Sequence, residues 1–470
     1  MNQPFSRREF LWRSGGGFGA LALGQMLSAF GNTSGSGAFK VGAHHPPKAK
    51  RVIQLFMNGG VSQMDTFDYK PRLEKLNGEK FDPGSAVEAA TSMPGKLMAS
   101  PFEFKQHGEC GRWVSSAFPH MAKCVDDLAF LMAMTSKTNV HGPGSYMMNT
   151  GFLLPGFPCM GAWISYGLGS LTDNLPTFVV LPDPKGLPYN QKGNFGAGFL
   201  PLKHQGTIIN AGSPQPIHDL QRPNAQFITE KSETASLSLL QKLNRTHAQT
   251  WPGDSIIEAR IASYELAARL QLSAPEALDL KSETAATHRL YGADEEPTRD
   301  FGTRCLMARR LAERGVRFVQ VWSGAGGPSN NWDNHKNIVK ELPPMAAATD
   351  KPIAGLLADL KARGLLDDTV VMWTTEFGRM PFTQENTGRD HNGGTFVTWL
   401  AGAGIKGGVA HGMSDEWSWK TAEGATYCYD LHATVLHLLG IDHEKLTFRF
   451  NGTDRRLTDV HGEVIHSILA

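Results

Sequence analysis

Five short apolar runs recur along the 470-residue chain: RVIQLFM from 51, LAFLMAMT from 128, LPTFVVLP from 175, VRFVQVW from 316 and DDTVVMWTT from 367. Each is continuous rather than alternating, which is the pattern of a strand buried on both faces. Between them lie stretches of helical spacing at 115–130, 303–315, 349–364 and 430–441, and HGPGSYMMNTG reads as a loop leading into another helix. Strands that alternate with helices are joined by right-handed crossovers. The expected fold class is therefore α/β: a mostly parallel central sheet with helices on both faces.

At this length and 41% hydrophobic content the chain can bury a large core. A formal net charge of +1 excludes the strong field of a nucleic-acid binder. The first 30 residues read as a twin-arginine export signal, with Arg7 and Arg8 before Phe10, Leu11 and a Gly/Ala/Leu stretch. Residues 31–50 read as a Gly/Ser/Pro linker, and 51–470 as one hydrolase-like domain with an insertion near 183–298. No later run reaches the ~18 apolar residues of a membrane span, so none is expected in the mature form. The expected location is periplasmic or extracellular. Five cysteines without a C-x-x-C pattern disfavour a zinc–thiolate site, while Cys110 and Cys124 are either a disulfide or free thiols.

In open parallel sheets, ligands bind beyond the carboxyl ends of the strands. Beyond the first run stand Asn58, Ser62, Asp65 and Asp68; beyond the second, His141. VRFVQVW leads to Asp333 and His335, and DDTVVMWTT to Glu376, then Asp390 and His391. Carboxylates gathered on one rim push up one another's proton affinity unless a counter-charge stands between them, and a divalent cation beside the imidazoles would supply it. The mixed nitrogen and oxygen set suits zinc or manganese, as one or two ions; calcium or magnesium prefers oxygen alone. Asp65, Asp333, His335, Glu376, Asp390 and His391 are the candidate metal ligands. His141, Ser145 and Arg379 are the candidate catalytic groups, and Arg379 or Arg389 would neutralise a substrate anion. His432 and His437 read as core residues on an apolar helix. Trp322, Trp332 and Trp373 read as core or as walls of a pocket.

LFMNGGVSQMDTFDYKP, HGPGSYMMNTG, NWDNH, TTEFGRMP, GRDHN and the stretch from DLHATVLHLLGI to the C-terminus together resemble the domain of unknown function family 1501. That family is similar to the alkaline phosphatase and sulfatase superfamily. The resemblance implies one or two metals on the sheet rim and a nucleophile at a helix N-terminus. It maps Asp333 and His335 as ligands, and it places Glu376-Phe377 where sulfatases carry an Asp-His pair. The usual first-strand Asp is Asn58 here, and the nucleophile position falls near His141 and Gly142. No cysteine stands in the C-x-P-x-R or C-x-A-x-R pattern that formylglycine formation needs.

The expected function is an exported metal-dependent hydrolase of phosphate or sulfate esters. Its substrate would be an anionic ester, with a glycan as one option, and its carrier the twin-arginine machinery. A water activated by metal would remove the need for a nucleophilic side chain. The alternative is a non-catalytic, metal-stabilised binding protein for a surface glycan or protein.

Overall fold

The computed structural model describes residues 42–84, 86–87, 94–213, 216, 230–250, 276–327, 329–384 and 387–470. Residues 1–30, read above as an export signal, lie outside the described residues, as do 255–271, whose sequence has helical spacing. In chain order the strands used below are β1 (Arg51–Met57), β2 (Phe104–His107), β3 (Arg112–Ser115), β4 (Leu128–Thr135), β5 (Phe178–Leu181), β6 (Thr207–Ile208), β7 (Phe318–Ser323), β8 (Thr369–Thr374), β9 (Gly378–Gln384), β10 (Gly388–Asn392), β11 (Phe396–Gly402) and β12 (Val409–His411). The helices used below are α1 (His141–Thr150), α2 (Met160–Leu168), α3 (Arg299–Glu313), α4 (Ile338–Ala362) and α5 (Cys428–Leu438).

The five apolar runs form β1, β4, β5, β7 and β8. The central sheet runs β12-β4-β11-β8-β1-β7-β5-β6, with β1 in parallel register between β7 and β8. Only β11 runs against its neighbours, β4 and β8. The sheet is thus mixed and mostly parallel. Alternate residues of β1 enter different cores. Ile53, Leu55 and Met57 pack with α3 and α4, while Val52 and Phe56 pack with α2 and α5. Both faces are covered by helices, which is why these strands are apolar throughout.

Two local readings change. The stretch 115–130 is the end of β3, a 3₁₀ segment at Met121–Asp127 and the start of β4. Pro119 interrupts it, and the Asp350 carboxylate of α4 accepts the N–H groups of His120 and Met121 at 2.7 Å each, so a distant residue supplies the cap. The helix expected from 349 begins at 338 and passes through Pro343, Pro344 and Pro352. Prolines argue against a helix interior, yet Ile338, Leu342, Ala346, Ile353, Leu356 and Leu360 are all fully buried, and that face holds it. GRDHN, which received no element from the sequence, is β10, antiparallel to β9, with a register shift between Arg389 and His391.

Residues 44–50, at the described end of the stretch read as a linker, lie against the far end of the chain. His44 N–H donates to Gly440 O at 2.7 Å, and Lys48 and Ala49 both donate to Leu438 O at 2.8 Å. Within 183–298, β6 joins the central sheet, and Tyr291 is buried with its hydroxyl on Asp359 at 2.9 Å. Cys110 and Cys124 are unbonded thiols. Among the described residues no helix is long and apolar enough to cross a membrane.

Glu283 ties this insertion to α3. Its carboxylate lies 2.8 Å from Arg309 and 2.5 Å from Arg310. Burial would raise this carboxyl, but the two guanidiniums hold it down at about 2. A depressed carboxyl stabilises the fold above its unfolded value, and the benefit is lost as pH falls toward its folded value. Glu283→Gln should therefore cost about 2 kcal/mol in urea unfolding at pH 7. The gap to wild type should close between about pH 4.5 and about pH 2.

Candidate metal centre

Three segments bring four side chains together. His141 opens α1 after β4, Asp333 and His335 follow β7, and His391 lies on β10. One ligand atom from each of the four falls within 4.8 Å of all the others. Asp333 is the hub: its Oδ1 lies 2.7 Å from His335 Nε2 and 3.2 Å from His391 Nε2, and its Oδ2 lies 3.3 Å from His141 Nε2.

The Nδ1 atoms are all occupied elsewhere. His141 Nδ1 faces Glu376 Oε1 at 2.7 Å, His391 Nδ1 faces the Asn139 carbonyl at 2.7 Å, and His335 Nδ1 faces Gln384 Oε1. An acceptor at Nδ1 fixes the proton there and leaves the lone pair on Nε2, the arrangement that orients metal-bound imidazoles. Three lone pairs then point at one carboxylate. His335 Nε2 and His391 Nε2 are only 2.7 Å apart. His141 Nε2 is buried and outside hydrogen-bond geometry. Such a set repels itself unless it holds protons or a cation. The residues therefore fit a divalent metal, with a three-imidazole, one-carboxylate donor set suited to a transition ion.

Glycines permit the approach. At Gly59, φ is +127°, and a Cβ would lie 2.6 Å from the backbone of Trp332 and of Asp333. At Gly388 a Cβ would lie 1.5 Å from the His335 carbonyl. The His335 loop crosses β10 in backbone contact.

Electrostatics follow the same plan. Burial opposes ionisation of Asp333, but Arg379 foremost, and then the three histidines, hold its carboxyl far below the usual range. Burial pushes His391 down to about 4, and the neighbouring Arg379 adds to this. Burial also acts against charging His141, yet Asp333 and Glu376 together raise it.

The other predicted residues stand apart. Glu376 is fully buried and forms a second layer: it orients His141 and accepts Gly59 N–H at 2.8 Å. Asp65 is bound on both oxygens by Arg389, at 2.6 and 3.1 Å. Asp390 is buried and accepts the backbone N–H of His391 at 2.8 Å, at the register shift. Ser145 is fully buried, and its hydroxyl has no hydrogen-bond partner. Ser62 donates to Asp65 at 2.5 Å. Asn58 donates to the carbonyls of Gly324 and Ala325, and so braces the loop after β7.

Arg379 and Arg389, expected to face a substrate anion, have no exposed surface. Arg379 donates to the carbonyls of Gly59, Gly60, Trp332 and Arg389, and to Asp333 Oδ1 at 2.7 Å. Trp322, Trp332 and Trp373 are buried core residues. Phe377 stands where the resemblance implied a ligand, and its ring lies 4.8 Å from those of both His141 and His391. Sequence reading missed Asn139, Gln384 and Tyr189, the last stacked on His141 at 4.5 Å. None carries a local signal: Asn139 acts through its backbone carbonyl, Gln384 through one amide oxygen and Tyr189 through its ring.

A family model described as "Protein of unknown function (DUF1501)" matches residues 49–469. No curated protein matches the chain. Among solved structures, PsFucS1 sulfatase from Pseudoalteromonas sp. is 13% identical with a TM-score of 0.33, over 87% of this chain and 74% of that one. Alkaline phosphatase from the Antarctic bacterium TAB5 is 11% identical with a TM-score of 0.31, over 78% and 95%. A phosphonate monoester hydrolase from Silicibacter pomeroyi is 14% identical with a TM-score of 0.27, over 69% and 68%. At these values the likeness transfers no activity or substrate to this chain.

Arg379→Met leaves a buried carboxylate and four carbonyls without their donor. It should destabilise the protein by about 3–5 kcal/mol in urea unfolding. Arg379→Lys keeps the charge but lacks the planar fork, and should recover only part of that loss.

Proposed function

We infer the function of this chain, which belongs to the DUF1501 family, from its centre: metal-dependent hydrolysis of phosphate or sulfate esters. One observation carries the reading. Three histidines, each pinned at Nδ1, aim Nε2 at a single ionised carboxylate. Hydrogen bonding alone gives no reason for that arrangement, whereas a zinc or manganese ion does. A divalent cation held there would supply Lewis acidity toward an anionic ester and toward water.

The chain's own residues have separable duties in this reading. His141, Asp333, His335 and His391 hold the cation. Glu376, Asn139 and Gln384 keep the imidazoles in the ligating tautomer. Arg379 keeps Asp333 ionised and holds the two loops in place. Ser145 and Ser62 are too enclosed to attack a substrate, so water is the attacking group. His335 is the most open of the four ligands, with 21% of its side chain exposed, and marks the side from which an ester approaches. Arg7 and Arg8 would direct export by the twin-arginine route, which places the protein in the periplasm or outside the cell.

A second reading, a metal-stabilised binding protein without catalysis, draws on the enclosure of both serines. His335→Ala separates the two. Loss of activity on 4-nitrophenyl phosphate, its bis ester and the sulfate, with an unchanged melting temperature, supports catalysis. Global destabilisation supports the structural role. Elemental analysis of protein from its native host should find a divalent transition ion; protein free of metal would sink both readings. Glu376→Gln should weaken metal affinity about 10- to 100-fold in chelator competition, because it loosens the hold on His141 without removing a ligand.

A further inference from the structure

A cleft of about 640 Å³ opens beside the centre. Asn139 lines it and also accepts the Nδ1–H of His391, and the neighbouring Asn392 lines it too, so cleft and centre share a wall. Lys137 and Lys420 line it, and among the described residues no Asp or Glu does. Lys137 Nζ donates to the Tyr429 hydroxyl at 3.3 Å, and Lys420 Nζ sits 4.0 Å from the Trp419 ring centroid. Neither ammonium forms a salt bridge among the described residues, so both are held by neutral or aromatic partners. The buried hydroxyl oxygens of Thr135 and Ser136, on the same wall, make no hydrogen bond.

The cleft does not end there. A second cavity of about 620 Å³ is also lined by Lys137 and Tyr427, and continues past Asp430, Glu444 and His461. The inner half is therefore cationic and rich in hydroxyls and amides. The outer half carries carboxylates, which accept from hydroxyls and repel anions.

We propose that this groove binds an anionic polysaccharide, with an acidic group on Lys137 and Lys420 and neutral, hydroxyl-bearing residues outward, and that it presents the chain to the centre. Charge-assisted hydrogen bonds hold the acidic group. A single-stranded nucleic acid fits less well. It would drive phosphates against Asp430 and Glu444, and it would need a row of exposed rings for stacking. The inference rests on the hydrolytic reading only for what the groove delivers.

The test is equilibrium binding to full-length, metal-loaded protein, which requires no turnover; inertness toward simple esters would sink the hydrolase reading and leave this measurement intact. The probes are heparin disaccharides, short enough to occupy the inner half alone, size-matched neutral dextran oligosaccharides and oligo-dT. A Lys137→Ala/Lys420→Ala variant should bind heparin disaccharide on the order of tenfold more weakly, with a salt slope lower by about one to two. Its melting temperature and metal content should not move, because both side chains are exposed. A control variant at Lys105 and Lys445, 67% and 69% exposed and outside the groove, should bind as wild type does. Unchanged heparin binding in the first variant, or equal loss in the control, overturns the proposal. Dextran binding as tight as heparin removes the anionic requirement and overturns it too. Tighter oligo-dT binding overturns it in favour of nucleic acid.

Discussion

Everything at the centre depends on one buried guanidinium. Burying a charge costs several kcal/mol unless its hydrogen bonds are satisfied. Arg379 meets that condition only because the turn after β1, the loop after β7 and β10 all present oxygens to it. Satisfying Arg379 therefore assembles three segments that are far apart in sequence. The same charge keeps Asp333 ionised in a low-dielectric setting, and the three imidazoles surround that anion. A substrate-binding arginine would be exposed and mobile. This one is a fixed joint.

The strands were legible because burial on both faces leaves an unbroken apolar run. β11 was not, since FVTWLAG follows a glycine-rich stretch and its antiparallel course breaks the strand–helix alternation. The start of α4 was hidden by its prolines, which local propensity rejects and tertiary packing overrides. At the centre, Asp333, His335, His391 and His141 were all read as candidates from their places beyond strand ends. Asp65 looked equivalent, yet it serves Arg389, 324 positions away. A carboxylate's destination depends on which cation folds next to it, and no local pattern encodes that. The same blindness applies to Asn139 and Gln384. Their contribution is one oxygen each, which becomes meaningful only once an imidazole lies against it.

Phe377 shows how a ligand position can change its task. With an aromatic ring beside both His141 and His391, the floor of the centre is apolar, and the rings above it gain a rigid support. Donor atoms come from the loops and from the β9–β10 hairpin. Orientation comes from a second layer drawn from β4, β8 and β9. Such a division lets the outer layer be tuned without altering the donor set.

The contact between residues 44–50 and the turn after α5 has a consequence in time. β1 sits at the middle of the sheet, but its partners β7 and β8 emerge from the ribosome hundreds of residues later. The segment leading into it docks on Leu438 and Gly440, which are made long after it. High contact order of this kind slows folding. The amino-terminal part of this domain must wait, unpaired, until those distant residues have been made. The waiting β1 segment is therefore the stretch that a chaperone would have to shield.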